Sequence, residues 1–423
     1  MDVRLPDSLV TRGLMKVFEA LEPYPTMMVG GVVRDAILGI TANDVDIATA
    51  ATPDVVTQKL QLKGIVVHPT GVAHGTVTAV ADGERFEITT LRKDVATDGR
   101  HAEVVFTDRF EDDAARRDFT FNAMYLSIDG DLLDFHNGRS DLAGGVVRFV
   151  GTPDTRIKED YLRILRFFRF FARFGKQAPD ADTIRALYAN RHGLSQLSAE
   201  RKTSEWWRLL GADDPVLAVH IMAATHVAET LGLAPFAPDA LAKLHAHFGA
   251  FKTPAVRWAC LQWQADTVET LTDNPNFALS NAQKEALAAP FAVRGVVLDT
   301  DHPTRTAYRT PIDALTARFA LDAVHGLRPM EGTREDIDLL RSLELPKFPV
   351  SAAQIMAKGI PGGPHVGDTL KELETWWVEG DFPSKRATLV KLDELCDALK
   401  AKLKAEHEAM RAAQSRARNT PSA

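Results

Sequence analysis

The chain has 423 residues, enough for roughly two to four domains, and its 45% hydrophobic content provides ample core. A formal net charge of -7 and a pI near 6.0 exclude a uniformly basic nucleic-acid binder, so any such signal must be local. Cys260 and Cys396 lie far apart in no metal-ligand spacing, "MDVRLPDSLV" lacks an apolar signal region, and there is no apolar run long enough to span a membrane. A cytoplasmic, soluble, multidomain protein without a membrane partner is expected.

In chain order, "SLVTRGLMKVFEAL" has helical spacing and "TMMVG" reads as a short buried strand. "GVVRDAILG" reads as a short helix stopped by Gly39, and "DVDIATA" as an alternating strand. Thr52 is placed to cap the next helix, Pro53 to open it and Gly64 to stop it. "GTVTAVADGERFEITTLR" is a hairpin turning at "ADGE". From Lys158 onward the strand signals vanish, and "KEDYLRILRFFRFFARFG" through "DPVLAVHIMAATHVAETLGL" all carry helical period. "LDTDHPTRTAYRTPID" reads as a loop and Leu343 to Gly367 as a Pro/Gly-rich joint. A long helix then runs through "AEHEAMRAAQ", and "SRARNTPSA" is expected to be disordered. No internal repeat is visible.

The chemistry concentrates in "MMVGGVVRDAILGITANDVDIATA". Residues two apart on a strand point the same way, so Asp44 and Asp46 would share a face while Val45 and Ile47 enter the core. Two carboxylates so placed repel unless a cation lies between them, and magnesium favours such oxygen ligands and shares its shell with phosphates. A solvated strand end is the plain alternative. Gly30 and Gly31 let a phosphate approach the backbone at the start of a helix, with Arg34 one turn in. Neither a Walker A loop nor a dinucleotide fingerprint is present.

"GGVVRDAILGITANDVDIAT" resembles the first motif of the class II tRNA nucleotidyltransferase family, which comprises CCA-adding enzymes and bacterial poly(A) polymerases. Further blocks follow in family order: "PTGVAHGTVTAV", "FEITTLRKDVATDGRHAEVVF", "RRDFTFNAM", "DFHNGRSDLAGGVVRFVG", "KEDYLRILRFFRF" and "LSAERKTSEWWRLL". The resemblance covers about the first half of the chain. It implies an α+β fold, with a polymerase-β-like head (a mixed sheet with helices) ahead of an all-helical neck, body and tail. The expected boundaries are 1–150 for the catalytic head, 151–212 for the neck with its nucleotide-selecting helix, 213–342 for the body and 343–423 for an RNA-binding tail.

The resemblance implies roles residue by residue. Asp44 and Asp46 match the metal-binding, catalytic aspartates, with Mg2+ as cofactor. Glu87 is placed to be a third carboxylate, although a lone strand glutamate is also an ordinary solvated residue. Gly31, Arg34 and Arg117 match nucleotide-contacting positions. Asp118 either accepts from the ribose hydroxyl or caps a helix near "FTFNAM", while Asn122 is read as structural. Asp160, Arg163, Arg166, Arg169 and Arg173 recur at helical spacing, with Leu162, Leu165, Phe168 and Phe171 on the apolar side. They coincide with the family's base-selecting motif, the alternative being a solvated basic stripe.

The selection chemistry follows from hydrogen-bonding capacity. Aspartate only accepts and arginine only donates. Asp160 can accept from the amino group of cytosine or adenine while Arg163 donates to the ring nitrogen. Uracil and guanine would instead set a carbonyl oxygen against Asp160, leaving buried groups unpaired. Arg166 and Arg169 then extend toward the triphosphate.

Residues 156–176 hold seven basic residues against two acidic, and 385–418 hold nine Lys/Arg against five Asp/Glu; both suit RNA phosphates, and for the tail a solvated face serves equally. The four tryptophans Trp206, Trp207, Trp376 and Trp377 are read as packing residues, and His245 and His247 as surface residues. No "HD" dipeptide marks a phosphohydrolase domain. The expected partners are the tRNA 3′ end, CTP and ATP, and the leading function is CCA addition. Poly(A) polymerisation or partial CC- or A-addition are the alternatives. A catalytically dead RNA-binding protein is disfavoured by intact Asp44, Asp46, Arg117, Asp160 and Arg163.

Overall fold

The computed structural model describes residues 5–6, 9–41, 44–68, 75–98, 101–263 and 268–418. The chain divides into two compact units, Met1–Ala288 and Ala289–Ala423.

The first unit begins with α1 (Arg12–Leu21), whose N-cap Thr11 accepts from the Leu14 amide. Nine strands follow among the described residues: β1 (Thr26–Val29), β2 (Val45–Thr49), β3 (Val66–His68), β4 (Thr76–Ala81), β5 (Glu84–Thr90), β6 (Arg92–Asp98), β7 (His101–Phe106), β8 (Met124–Leu126) and β9 (Leu132–Asp134). Seven of them form one sheet in the order β3-β4-β5-β2-β1-β8-β9, while β6 and β7 make a separate ribbon. Only β2 and β5 pair in parallel, with Asp46 directly opposite Glu87. The β4–β5 hairpin turns at Asp82 and Gly83, both at positive φ (51° and 84°), as the Asp-Gly pair predicts.

Helices α2 (Gly31–Ile37), α3 (Pro53–Leu62), α4 (Phe110–Ala115) and α5 (Gly138–Gly144) complete the sheet region. Thr52 precedes α3 as expected but makes no side-chain capping bond. Alternation along β2 is lost after Asp46, because Ile47, Ala48 and Thr49 are all buried, so this part of the strand is covered on both sides.

The segment from 153 to 174 is not a single helix. Helix α6 (Pro153–Glu159) ends before Asp160, whose backbone is extended at φ -152° and ψ 107°, and α7 runs from Leu162 to Phe174. Asp160 Oδ1 accepts from the Leu162 amide at 3.0 Å, so the residue expected inside a helix serves the start of the next one. The apolar side of α7 is also wider than expected. Leu162, Ile164, Leu165, Phe167, Phe168, Phe170 and Phe171 are all buried. Phe170 meets Phe119 and Phe121 edge-on at 5.4 and 5.5 Å, and Phe167 stacks on Phe149 at 5.8 Å. The "DFTF" segment and α7 therefore share one aromatic core. Helices α8 (Ala181–Asn190) and α9 (Ala199–Leu210) follow, with Trp206 fully buried. No strand occurs after β9 among the described residues, as the periodicity indicated.

In the second unit, two stretches read as irregular contain helices. Pro303–Arg309 is helical inside the Pro/Thr-rich segment, opened by a proline in its first turn. Ala352–Ala357 is helical inside the Pro/Gly-rich joint, held by a capping box between Ser351 and Gln354. Its core gathers Val350, Ile355, Ile360, Val366, Leu373, Leu392 and Cys396. The last helix, Lys385–Arg418, continues through Ser415–Arg418, four residues of the segment expected to be disordered; Asn419–Ala423 lie outside the described residues.

Candidate active site

The Gly30–Gly31 turn sits between β1 and α2, and Gly30 adopts φ +77°, a conformation that glycine takes without strain. Two arginines from different elements reach this turn. A Cβ built on Gly30 would stand 3.6 Å from Arg117 Nη1, and one on Gly31 would stand 3.6 Å from Arg34 Nη2. Each glycine thus has one guanidinium group within van der Waals reach of the side chain it lacks.

Each arginine is held from behind. Arg34 is buried, donates through Nε to Asp35 Oδ1 at 2.9 Å and through Nη1 to Asn122 Oδ1 at 2.9 Å, and lies over the Phe174 ring at 4.8 Å. Burial pulls its pKa down, and Asp35 opposes that shift. Arg117 donates through Nε and Nη2 to Asp113 Oδ2 at 3.0 and 2.9 Å. Its pKa is raised: burial acts against the charged form, but Asp113 outweighs it.

The carboxylates stand at the N-terminal end of β2. Asp44 lies in the bend before the strand and Asp46 within it. The Asp46 carboxyl group is pushed above the usual carboxylate range, first by lost hydration, then by the charge of Glu87; Arg117 opposes and Asp44 adds to the rise. Glu87 and Asp44 thus both press their charge on Asp46, a repulsion that a cation beside it would relieve. The all-oxygen donors Asp44 and Asp46 fit a hard divalent ion such as Mg2+. Glu87 is beside Asp46 in register, but its carboxylate is engaged by Arg85 at 2.8 Å. Among the described residues no three His, Cys, Asp or Glu side chains converge as a metal-holding group, so the structure does not draw Glu87 into one set with the aspartates.

Asp118 has both oxygens occupied. Oδ1 accepts from the Phe119 amide at 2.8 Å and from Asn122 Nδ2 at 3.1 Å, while Oδ2 accepts from Arg166 Nε at 2.7 Å and also from Nη2. Burial would raise its pKa, but Arg166 and these donors hold it below the usual range. Asn122 therefore links Arg34 to Asp118, and since arginine only donates and aspartate only accepts, its amide orientation is determined.

The arginines of α7 are not a solvated stripe. Arg163 is 14% exposed and donates to Glu159 Oε2 at 2.5 Å, to the Arg156 carbonyl at 2.8 Å and to the Arg116 carbonyl at 3.0 Å. Arg166 binds Asp118, Arg169 pairs with Glu205 of α9 at 2.7 Å, and Arg173 approaches Asp35 at 3.5 Å. Burial lowers the Arg169 pKa to about 10, against the opposing pull of Glu205. The solvated-stripe alternative therefore does not hold for Arg163, Arg166 and Arg169, which bind the sheet region and α9, while Arg173 and Lys158 stay about half exposed. Asp160 Oδ2 pairs with Arg201 Nη2 at 2.9 Å, and both remain partly open to solvent.

Sequence reasoning missed Asp35, Asp113, Tyr125, Arg201 and Glu205. Asp35 and Asp113 lie within four residues of the arginines they hold, a local signal that could have been used. Tyr125, Arg201 and Glu205 carried no such sign. Pro69–His74, part of the "PTGVAHGTVT" block, lie outside the described residues.

Residues 26–148 match the Poly A polymerase head domain family, which makes this region a nucleotidyltransferase head. The chain is 34% identical over 396 residues to the Danio rerio protein named CCA tRNA nucleotidyltransferase 1, mitochondrial, covering 91% of each. It belongs to the CCA tRNA nucleotidyltransferase family and is an enzyme. The fold resembles that of the Bacillus stearothermophilus CCA-adding enzyme solved with CTP, at TM-score 0.71 and 24% identity, covering 95% of this chain and 100% of that one. It also resembles the Thermotoga maritima CCA-adding enzyme solved with tRNA, at TM-score 0.66 and 21% identity, covering 94% and 99%.

Proposed function

We propose that this enzyme adds C, C and A to the 3′ end of tRNA from CTP and ATP, without a nucleic-acid template, releasing pyrophosphate. The observation that carries the reading is the Gly30–Gly31 turn flanked by Arg34 and Arg117, with Asp46 close enough to feel the Arg117 charge. A triphosphate needs a cation-lined cradle open to its backbone side, and attack at its α-phosphate needs carboxylates beside it.

In this reading Arg34 and Arg117 hold and orient the triphosphate, and Gly31 keeps the backbone clear. Asp44 and Asp46 hold Mg2+, which when bound stabilises charge on the reacting phosphate oxygens. Glu87 stands at the edge of that group and shapes its field. Asp160 and Arg163 read the base edge; for this Asp160 must exchange Arg201, and Arg163 one of its present acceptors, for the incoming base. Arg166 and Arg169 act mainly by fixing α7, and Asp118 anchors Arg166. The residue boundaries near 150, 212 and 342 are retained as head, neck, body and tail. The chain is assigned to the cytoplasm, and among the described residues no helix is long and apolar enough to cross a membrane.

The test is one assay: purified protein, tRNA lacking CCA, and each NTP alone or combined, with products sized to the nucleotide. Addition of C, C and then A, each dependent on the right NTP, supports the reading. Long A-tails would indicate poly(A) polymerisation, and products stopping after CC, or A added only to a CC end, a partial activity.

A further inference from the structure

Arg117 presents a planar guanidinium whose rotation decides which N–H group faces a ligand. Two of its three nitrogens, Nε and Nη2, are committed to Asp113 Oδ2. The Tyr125 hydroxyl donates to that same oxygen at 2.6 Å and accepts from Arg117 Nε at 3.2 Å. The guanidinium carbon lies 5.3 Å from the centre of the Tyr125 ring. What remains is Nη1, the nitrogen beside Gly30.

Neither partner of Arg117 is free to swing. Asp113 is 1% exposed, and its Oδ1 accepts from Arg116 Nη2 at 2.6 Å, Arg116 Nε at 2.8 Å and the Arg92 amide at 3.4 Å. Tyr125 is fully buried in β8, edge-on to Phe110 at 5.0 Å. A core position that needed only volume would be filled by phenylalanine, as Phe119 and Phe121 fill theirs nearby. The hydroxyl here touches both Arg117 and its carboxylate.

We propose that Tyr125 and Asp113 are positioning residues that fix the Arg117 guanidinium so that Nη1 faces the nucleotide at the Gly30–Gly31 turn. This rests on the reading of Arg117 as a nucleotide contact. Neither residue touches substrate; each acts through Arg117.

The experiment is a double-mutant cycle on kcat/KM for CTP and ATP, with wild type, Tyr125→Phe, Arg117→Ala and the double variant. Tyr125→Phe should lower kcat/KM roughly three- to tenfold for both nucleotides alike. The preference for C and A and the magnesium dependence should stay as in wild type. In the Arg117→Ala background, Tyr125→Phe should change nothing further. Unchanged kcat/KM for Tyr125→Phe, with or without a lower Tm, assigns the hydroxyl to folding and overturns the proposal. So do losses that multiply in the double variant. Wild-type kcat/KM for Arg117→Ala would instead overturn the nucleotide-contact reading, and this proposal with it. If Tyr125→Phe does not fold, Asp113→Glu, which keeps the charge but displaces it, is read by the same cycle and the same criteria.

Discussion

Arg166 of α7 and Asp118 of the "RRDF" segment are joined through one carboxylate oxygen, 48 residues apart in sequence, with Asp118 buried. This pair, with Arg163 on the Arg116 carbonyl and Arg173 near Asp35, seats α7 on the sheet region. Removing one member of such a pair leaves the other charge without its partner. Arg166→Ala should therefore lower unfolding stability by about 2–4 kcal/mol. Urea denaturation followed by fluorescence checks it; a loss below 0.5 kcal/mol, expected only for a surface pair, would show that α7 is held by its phenylalanines alone.

Asp44→Ala and Asp46→Ala should each abolish nucleotide addition while leaving the fold intact, since neither side chain fills core. A separate readout comes from the charge crowding at Asp46. In chelator, Asp46→Asn should melt at a higher temperature than wild type because it removes the charge that Glu87 and Asp44 repel. Magnesium should raise the Tm of wild type and not that of the variant. Equal magnesium shifts in both proteins would show that the ion binds elsewhere.

Asp113 supplies a pH test with a defined sign. Burial by itself would raise its pKa, but Arg117, Arg116 and the Tyr125 hydroxyl pull it down to about 2. A carboxylate depressed in the folded state contributes stability above its unfolded pKa near 4, and that stability is lost as pH falls toward 2. The contribution at neutral pH is on the order of 2 kcal/mol. The stability gap between wild type and Asp113→Asn should be constant from pH 7 to 5 and shrink below about 4. A gap that stays constant down to pH 2 would mean the carboxylate is not charged against these arginines.

Asp160 and Arg163 divide differently. On the proposed reading Asp160 opposes the carbonyls of UTP and GTP, so Asp160→Ala should relax rejection of both, while CTP and ATP use falls by about 1–3 kcal/mol in kcat/KM. Arg163→Ala should impair CTP and ATP together and also destabilise the protein, because Arg163 donates to the Arg116 carbonyl. Measuring all four nucleotides for each variant decides the point: a uniform fall for Asp160→Ala, with the preference for C and A intact, would move base choice to other residues.

The local features of the site were legible in the sequence. A Gly-Gly turn, a strand bearing aspartates two apart and an Asp-Gly hairpin are set by φ preference and side-chain period, which act over a few residues. The ordered motifs also carried the family, since chemistry ties those residue types to their spacing. Tertiary structure alone decided which partner each arginine found. Spacing showed that Arg163, Arg166, Arg169 and Arg173 recur along α7, but not that Arg163 and Arg166 would find acceptors in the Arg116 carbonyl and Asp118, or that Arg169 and Arg173 would form ion pairs with Glu205 and Asp35. The break at Asp160 was hidden for the same reason: its side chain accepts from the first amide of α7 and binds Arg201, 41 residues away. A guanidinium taken from water must find acceptors, and it takes whichever ones the packed core brings within reach, however distant in the chain.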